Sequence, residues 1–133
     1  MSEVRFSQAP SLEDMAQLAE QAFASLPDAF RRLTGDVVFR VDDFPDEALL
    51  AELGLEDPFS LTGLYQGVSL GHRSVFDPAP DPARIFLFRR PILDEWAERG
   101  NVTLGALVAH VLVHEIGHHF GLSDADIDAA ESD

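Results

Sequence analysis

The chain has 133 residues and no cysteine, and its 24 acidic and 9 basic residues give a formal net charge of −15 at pH 7. This length predicts a single domain over residues 1–133 with its own core, and the lack of cysteine excludes disulfides and thiolate metal sites. The negative charge argues against nucleic acid and membranes as partners. Residues 1–10 carry charges and no long apolar run, so we expect no signal peptide or membrane anchor and a cytoplasmic protein.

The first half of the chain predicts three helices and one strand behind a short N-terminal arm, residues 1–10. Ser11, with an acidic residue three positions later, is typical of a helix N-terminus, and apolar residues then recur at helical spacing. A β-branched run after the second helix favours a strand, and Gly54 is placed to end the third helix. These elements are expected over residues 11–26, 28–33, 37–41 and 46–53.

The middle of the chain contains one apolar segment among many Gly, Pro, Ser and Asp residues, Leu61 to Leu70. Its glycines indicate a strand with a bulge or a close backbone approach. Tyr65, the only tyrosine, lies in this segment. Its hydroxyl could donate a hydrogen bond to a developing oxyanion, or Tyr65 could simply be a half-buried loop aromatic.

The second half predicts a strand, a helix and a long buried helix. Residues 84–89 are apolar on both faces of the predicted strand, so other elements must cover both sides. A helix over residues 91–99 follows and ends at Gly100. The next helix is expected from the cap Thr103 to Phe120, and its almost continuous apolar surface makes it the central helix. An acidic tail, residues 126–133, ends the sequence.

The central helix carries the pattern His114-Glu115-x-x-His118-x-x-Gly121-x-x-Asp124. Residues four apart project side by side from a helix, so His114 and His118 can bind one divalent ion through two imidazoles. Glu115 is then placed to act as a general base toward a water bound to that ion. A glycine at position 121 can take a positive φ and turn the chain, so that Asp124 could complete the metal site.

A metal ion explains the polar residues of this helix better than the alternative, a core histidine pair that is hydrogen-bonded to the backbone. Three polar side chains in an apolar helix are costly to bury unless something satisfies them, and one ion can do so for all three. His110 lies one turn before His114 on the same face, so it is either a neighbour of the metal site or a core histidine. His119 points about 100° away from His118, and we assign it to a structural or supporting role.

The extended pattern resembles that of the metzincin metallopeptidases, whose third ligand is usually His and in a few members Asp. The only methionines are Met1 and Met15, so the Met-turn of a metzincin is missing. A third ligand of the thermolysin type would have to be Glu131, which we keep as an alternative to Asp124.

A closer resemblance is to the small bacterial zincin-like metallopeptidases, also called minimal zincins. The segments that carry it are Leu61 to Gly67, Arg84 to Ile92 and His114 to Asp124. The resemblance implies a compact α+β domain in which a small mixed sheet packs against the buried HExxH helix and further helices. It also implies that the zinc ligands and the catalytic glutamate lie at the matching positions of this motif.

These observations predict a zinc hydrolase that acts on a peptide or protein substrate, with one Zn²⁺ bound by His114, His118 and Asp124. In zincins the substrate backbone pairs with an edge strand above the metal. Ile85, Phe86, Leu87 and Phe88 are the candidates for that strand if one of its edges is open. The alternative is a regulatory or interaction domain that keeps zinc for folding and has no turnover, which would require a closed site with four protein ligands. The sequence does not indicate the oligomeric state.

Overall fold

The computed structural model describes residues 8–34, 37–67 and 83–121. Within these ranges the chain forms five α-helices, a short 3₁₀ helix and a three-stranded mixed sheet. The predicted α+β class with a small mixed sheet is therefore confirmed. Most of the predicted arm and all of the predicted tail lie outside the described residues, and the single domain over residues 1–133 stays a prediction.

The helices follow the predicted pattern closely. They are α1 (Leu12–Ala24), α2 (Asp28–Leu33), α3 (Glu47–Leu53), α4 (Arg89–Arg99) and α5 (Leu104–His119), and the 3₁₀ turn covers Pro58–Ser60. At the start of α1, the Ser11 side chain accepts a hydrogen bond from the Asp14 N–H, and the Asp14 carboxylate accepts one from the Ser11 N–H. Gly54 ends α3 with a φ of 71°. Helix α4 begins two residues before Pro91, directly after the last strand, and the 3₁₀ turn was not predicted.

The sheet consists of β1 (Val38–Asp42), β2 (Gly63–Gln66) and β3 (Arg84–Phe88), in the order β1-β3-β2. Strand β3 pairs in parallel with β1 and antiparallel with β2. The prediction that Ile85, Phe86, Leu87 and Phe88 bind a substrate backbone required an open edge on β3. Both edges of β3 are paired, so this prediction is wrong. Among the described residues, no strand pairs with the outer edge of β2.

One face of the sheet packs on α5 and α1 and forms the core with them. Alternate residues of a strand share a face, and on this face Ile85 and Leu87 are buried against Met15 of α1 and Leu112 of α5. Phe86 points to the opposite face, where its ring stacks at 6.1 Å on that of Phe88.

Helix α5 is the central helix, as predicted. It contacts α1, α4, β2 and β3, and most of its apolar side chains are buried. Only Ala106 and His110 of this helix are exposed. None of the helices in the described ranges combines the length and apolarity that crossing a membrane requires.

Candidate metal centre

Helix α5 holds the HExxH motif in its last two turns. Thr103 caps its N-terminus by accepting a hydrogen bond from the Ala106 N–H at 3.1 Å. At the other end the helix stops at His119, and the Gly121 N–H donates to the His118 carbonyl at 2.9 Å. Gly121 has a φ of 87°, the left-handed conformation that the sequence predicted for it. The metal-binding motif therefore lies just before the turn that ends the helix.

Two adjacent rows of side chains run along this part of α5, each with a spacing of four residues. The inner row consists of Val111, Glu115 and His119, all buried. The outer row consists of His110, His114 and His118, of which the first is exposed and the other two are half-buried. The inner row thus faces the protein interior, and the outer row lies at the protein surface.

His114, Glu115 and His118 come together as a cluster. One potential ligand atom of each lies within 4.8 Å of those of the other two, and the two imidazole rings are 5.1 Å apart at an interplanar angle of 80°. Zinc binds imidazole nitrogens and carboxylate oxygens at about 2.0–2.2 Å in a tetrahedron, which places its ligand atoms about 3.3–3.6 Å apart. Ligand atoms as far apart as 4.8 Å would have to move closer together to share one ion, and the donor set fits zinc. In the described ranges this is the only group of three or more His, Asp or Glu residues close enough to share an ion.

The Glu115 side chain is buried on the side of α5 that faces strand β2. Only 7% of its surface is exposed. A Cβ atom on Gly63 of β2 would lie 3.3 Å from Glu115 Cγ and only 2.7 Å from Val111 Cγ1. Any larger residue here would force the Val111 side chain or the strand to shift, so Gly63 permits the close approach of β2 to the inner row. The sequence indicated a close backbone approach in this segment but not its partner.

Tyr65 is the second contact between β2 and the inner row. Its hydroxyl lies 2.9 Å from Nδ1 of His119, and the two ring centroids are 5.5 Å apart. His119 itself is 2% exposed. The structure thus places the Tyr65 hydroxyl on the residue that follows His118, and His119 on the side of the helix that faces β2. Sequence reasoning did not find this pair, because the two residues are 54 positions apart and nothing local links them.

The remaining candidates from the sequence are His110, Asp124 and Glu131. His110 is exposed, one turn before His114 in the outer row. Asp124 and its alternative Glu131 lie outside the described residues, so the third ligand stays a prediction.

Comparisons with known proteins identify a family for this chain, although no curated protein matches it. The family described as zincin-like metallopeptidase matches residues 34–133, which include the whole sheet, α5 and the HExxH motif. Its name implies a metal, typically zinc, and within the described ranges the cluster of two histidines and one glutamate offers candidate ligands for it. The chain therefore belongs to the zincin-like metallopeptidase family.

Proposed function

We propose that this protein is a zinc-dependent peptidase in which His114 and His118 bind the ion and Glu115 is the general base. Asp124 is the third ligand in this proposal. Family membership supports the reaction class, and the geometry of α5 supports the roles of the individual residues.

The half-buried state of His114 and His118 is the observation that carries the proposal. Structural zinc sites are usually closed by four protein ligands, whereas catalytic sites keep one position for water or substrate. The two histidines belong to the outer row, beside exposed His110, so an ion bound to them would lie near the protein surface. A substrate could reach an ion in such a position. This favours a catalytic zinc site rather than a zinc site that only stabilises the fold.

Zn²⁺ bound there would lower the pKa of a coordinated water far below that of bulk water and would polarise a carbonyl oxygen. Glu115 is adjacent to both histidines and can accept the proton of that water, and it can later deliver the proton to the leaving amine. Gly63 of β2 packs closely on this side chain, which restricts its freedom to move away from the two histidines.

The outer edge of β2 is the best candidate for binding the substrate backbone. The Phe88 N–H donates to the Thr62 carbonyl at 2.9 Å, which makes these two residues a hydrogen-bonded pair. Such pairs alternate along an antiparallel ladder, so Gly63, one residue on and opposite Leu87, turns its N–H and C=O toward the outer edge. Gly63 is also the residue that packs against Glu115. A substrate strand added at this edge would run beside the proposed metal position.

The test compares wild-type protein with Glu115→Gln, both loaded with one equivalent of zinc, on a broad peptide library. Glu115→Gln should bind zinc as wild type does but cleave at least about 100-fold more slowly, because general base catalysis contributes about 10²- to 10⁴-fold. Glu98→Gln, a change of an exposed glutamate on α4, is the matched control and should cleave normally.

Two results would contradict the proposal. One is unchanged cleavage by Glu115→Gln. The other is a wild-type protein that binds zinc and cleaves no member of the library, which would favour a zinc-binding domain without turnover.

A further inference from the structure

The hydrogen bond between Tyr65 and His119 joins the edge strand to the last turn of α5. It links Tyr65 Oη to His119 Nδ1 at 2.9 Å, and His119 is almost completely buried. The adjacent residue on the helix is His118, a proposed zinc ligand. Whatever holds His119 in place therefore also restricts the backbone of His118.

His118 lies where a helix is least stable by itself. Helix α5 ends one residue later, at His119, and the carbonyls of Ile116, Gly117 and His118 accept hydrogen bonds from Phe120 and Gly121, just beyond the helix end. The terminal turn of a helix is bonded on one side only and frays more readily than its middle. A metal ligand in a fraying turn must be ordered when the ion binds, and this ordering lowers the affinity. An anchor that orders the turn beforehand would remove that cost.

The backbone near Tyr65 leaves space for its hydroxyl. Gly67 has a φ of 146°, and a Cβ atom there would lie 3.2 Å from the Tyr65 hydroxyl oxygen and 2.9 Å from Ala83 Cβ. On the same face of β2, Gly63 packs against Val111 and Glu115. Strand β2 thus contacts the inner row at two points. Gly63 packs against Glu115, the proposed general base, and Tyr65 is hydrogen-bonded to His119, the residue after His118.

We propose that Tyr65 and His119 are a positioning pair that orders the last turn of α5 and so prepares His118 to bind the metal. This inference rests on the proposed metal site at His114 and His118. Neither residue of the pair needs to touch the ion or the substrate. Tyr65 acts through His119, and His119 acts through the backbone of the turn.

The first experiment measures two properties of Tyr65→Phe without any peptide substrate. Zinc affinity, determined by competition with a chromogenic chelator, should fall about fivefold, the equivalent of one hydrogen bond of about 1 kcal/mol. In the metal-free protein, the amides of residues 118–121 should exchange hydrogen faster than in wild type, because the turn frays more often.

Thr103→Val is the matched control, because it removes the cap at the opposite end of the same helix. It should speed amide exchange in the first turn of α5 and leave zinc affinity unchanged. The proposal is overturned if Tyr65→Phe binds zinc as tightly as wild type. It is also overturned if Thr103→Val weakens zinc binding as much as Tyr65→Phe does, since the effect would then reflect helix stability in general.

Changes at His119 test whether the hydrogen bond itself is responsible. His119→Leu should weaken zinc binding like Tyr65→Phe, and the double variant should be no weaker than either single variant. His119→Asn, whose amide can take the place of Nδ1, should recover part of the affinity. Additive losses in the double variant would contradict the proposal. Because all these readouts concern zinc binding and exchange, a protein that binds zinc but has no peptidase activity would refute the proposed function and not the positioning pair.

Discussion

Glu115 is the only carboxylate that is buried in the part of the chain that the structure describes. A buried carboxylate is costly unless polar partners satisfy it, and the proposed metal site would supply such partners. The sequence alone indicated this group, because the spacing of His114, Glu115 and His118 already defines their positions on a helix. It could not indicate the contact of Glu115 with Gly63 or that of His119 with Tyr65. These contacts depend on how a strand that is distant in the sequence packs against the helix.

The identity of the third zinc ligand also concerns single residues, and a comparison of two variants tests it. Asp124→Ala should weaken zinc binding at least about tenfold, because it would remove one of the three proposed protein ligands. Glu131→Ala should leave the affinity unchanged. Zinc affinity measured by chelator competition checks both. Weaker binding by Glu131→Ala with normal binding by Asp124→Ala would reverse the assignment.

At the scale of secondary structure, local signals predicted most elements and long-range pairing decided the rest. The cap at Thr103 and the glycine at 121 predicted both ends of α5, because capping depends on a few adjacent residues. Residues 84–89 were predicted as a strand, and β3 is that strand. Its central position was not predicted, because strand order depends on partners far away in the sequence. We therefore propose that a substrate strand pairs with the outer edge of β2 and not with β3.

The packing of β2 on α5 can be tested through Gly63. Gly63→Ala should lower the free energy of unfolding by about 1–3 kcal/mol, the usual cost of overpacking, because its Cβ would collide with Val111. Peptide cleavage should fall as well, since the shift displaces Glu115. Chemical denaturation and kcat/KM are the measurements. The double variant Gly63→Ala/Val111→Ala, which opens space for the new methyl group, should recover part of both losses.

Gly105→Ala provides the control for this prediction. Gly105 lies on the same helix, and a Cβ there would make an ordinary contact of 3.6 Å with Leu18 Cδ2. Alanine should therefore raise stability by about 0.4–1 kcal/mol and leave cleavage unchanged. Normal activity in Gly63→Ala would contradict the link between β2 and the position of Glu115.

At the scale of the whole molecule, the net charge of −15 predicts a negative electrostatic potential around the protein, which would attract positively charged peptides. Peptides with Lys or Arg should therefore be cleaved with a higher kcat/KM at low salt. Raising the ionic strength from about 10 mM to about 150 mM shortens the Debye length from about 30 Å to about 8 Å, and kcat/KM should fall several-fold. The same peptide with Gln in place of each Lys or Arg is the control. An equal salt dependence for both peptides would show that the net charge does not steer substrates.

The most direct test of a zinc-dependent peptidase is a titration of the metal-free protein with zinc, with peptide cleavage as the readout. The activity should rise in proportion to added zinc, reach its maximum at one equivalent, and stay low in His114→Ala and His118→Ala at the same zinc concentration. Cleavage by the metal-free protein that zinc does not increase, or full activity in either histidine variant, would contradict the proposal.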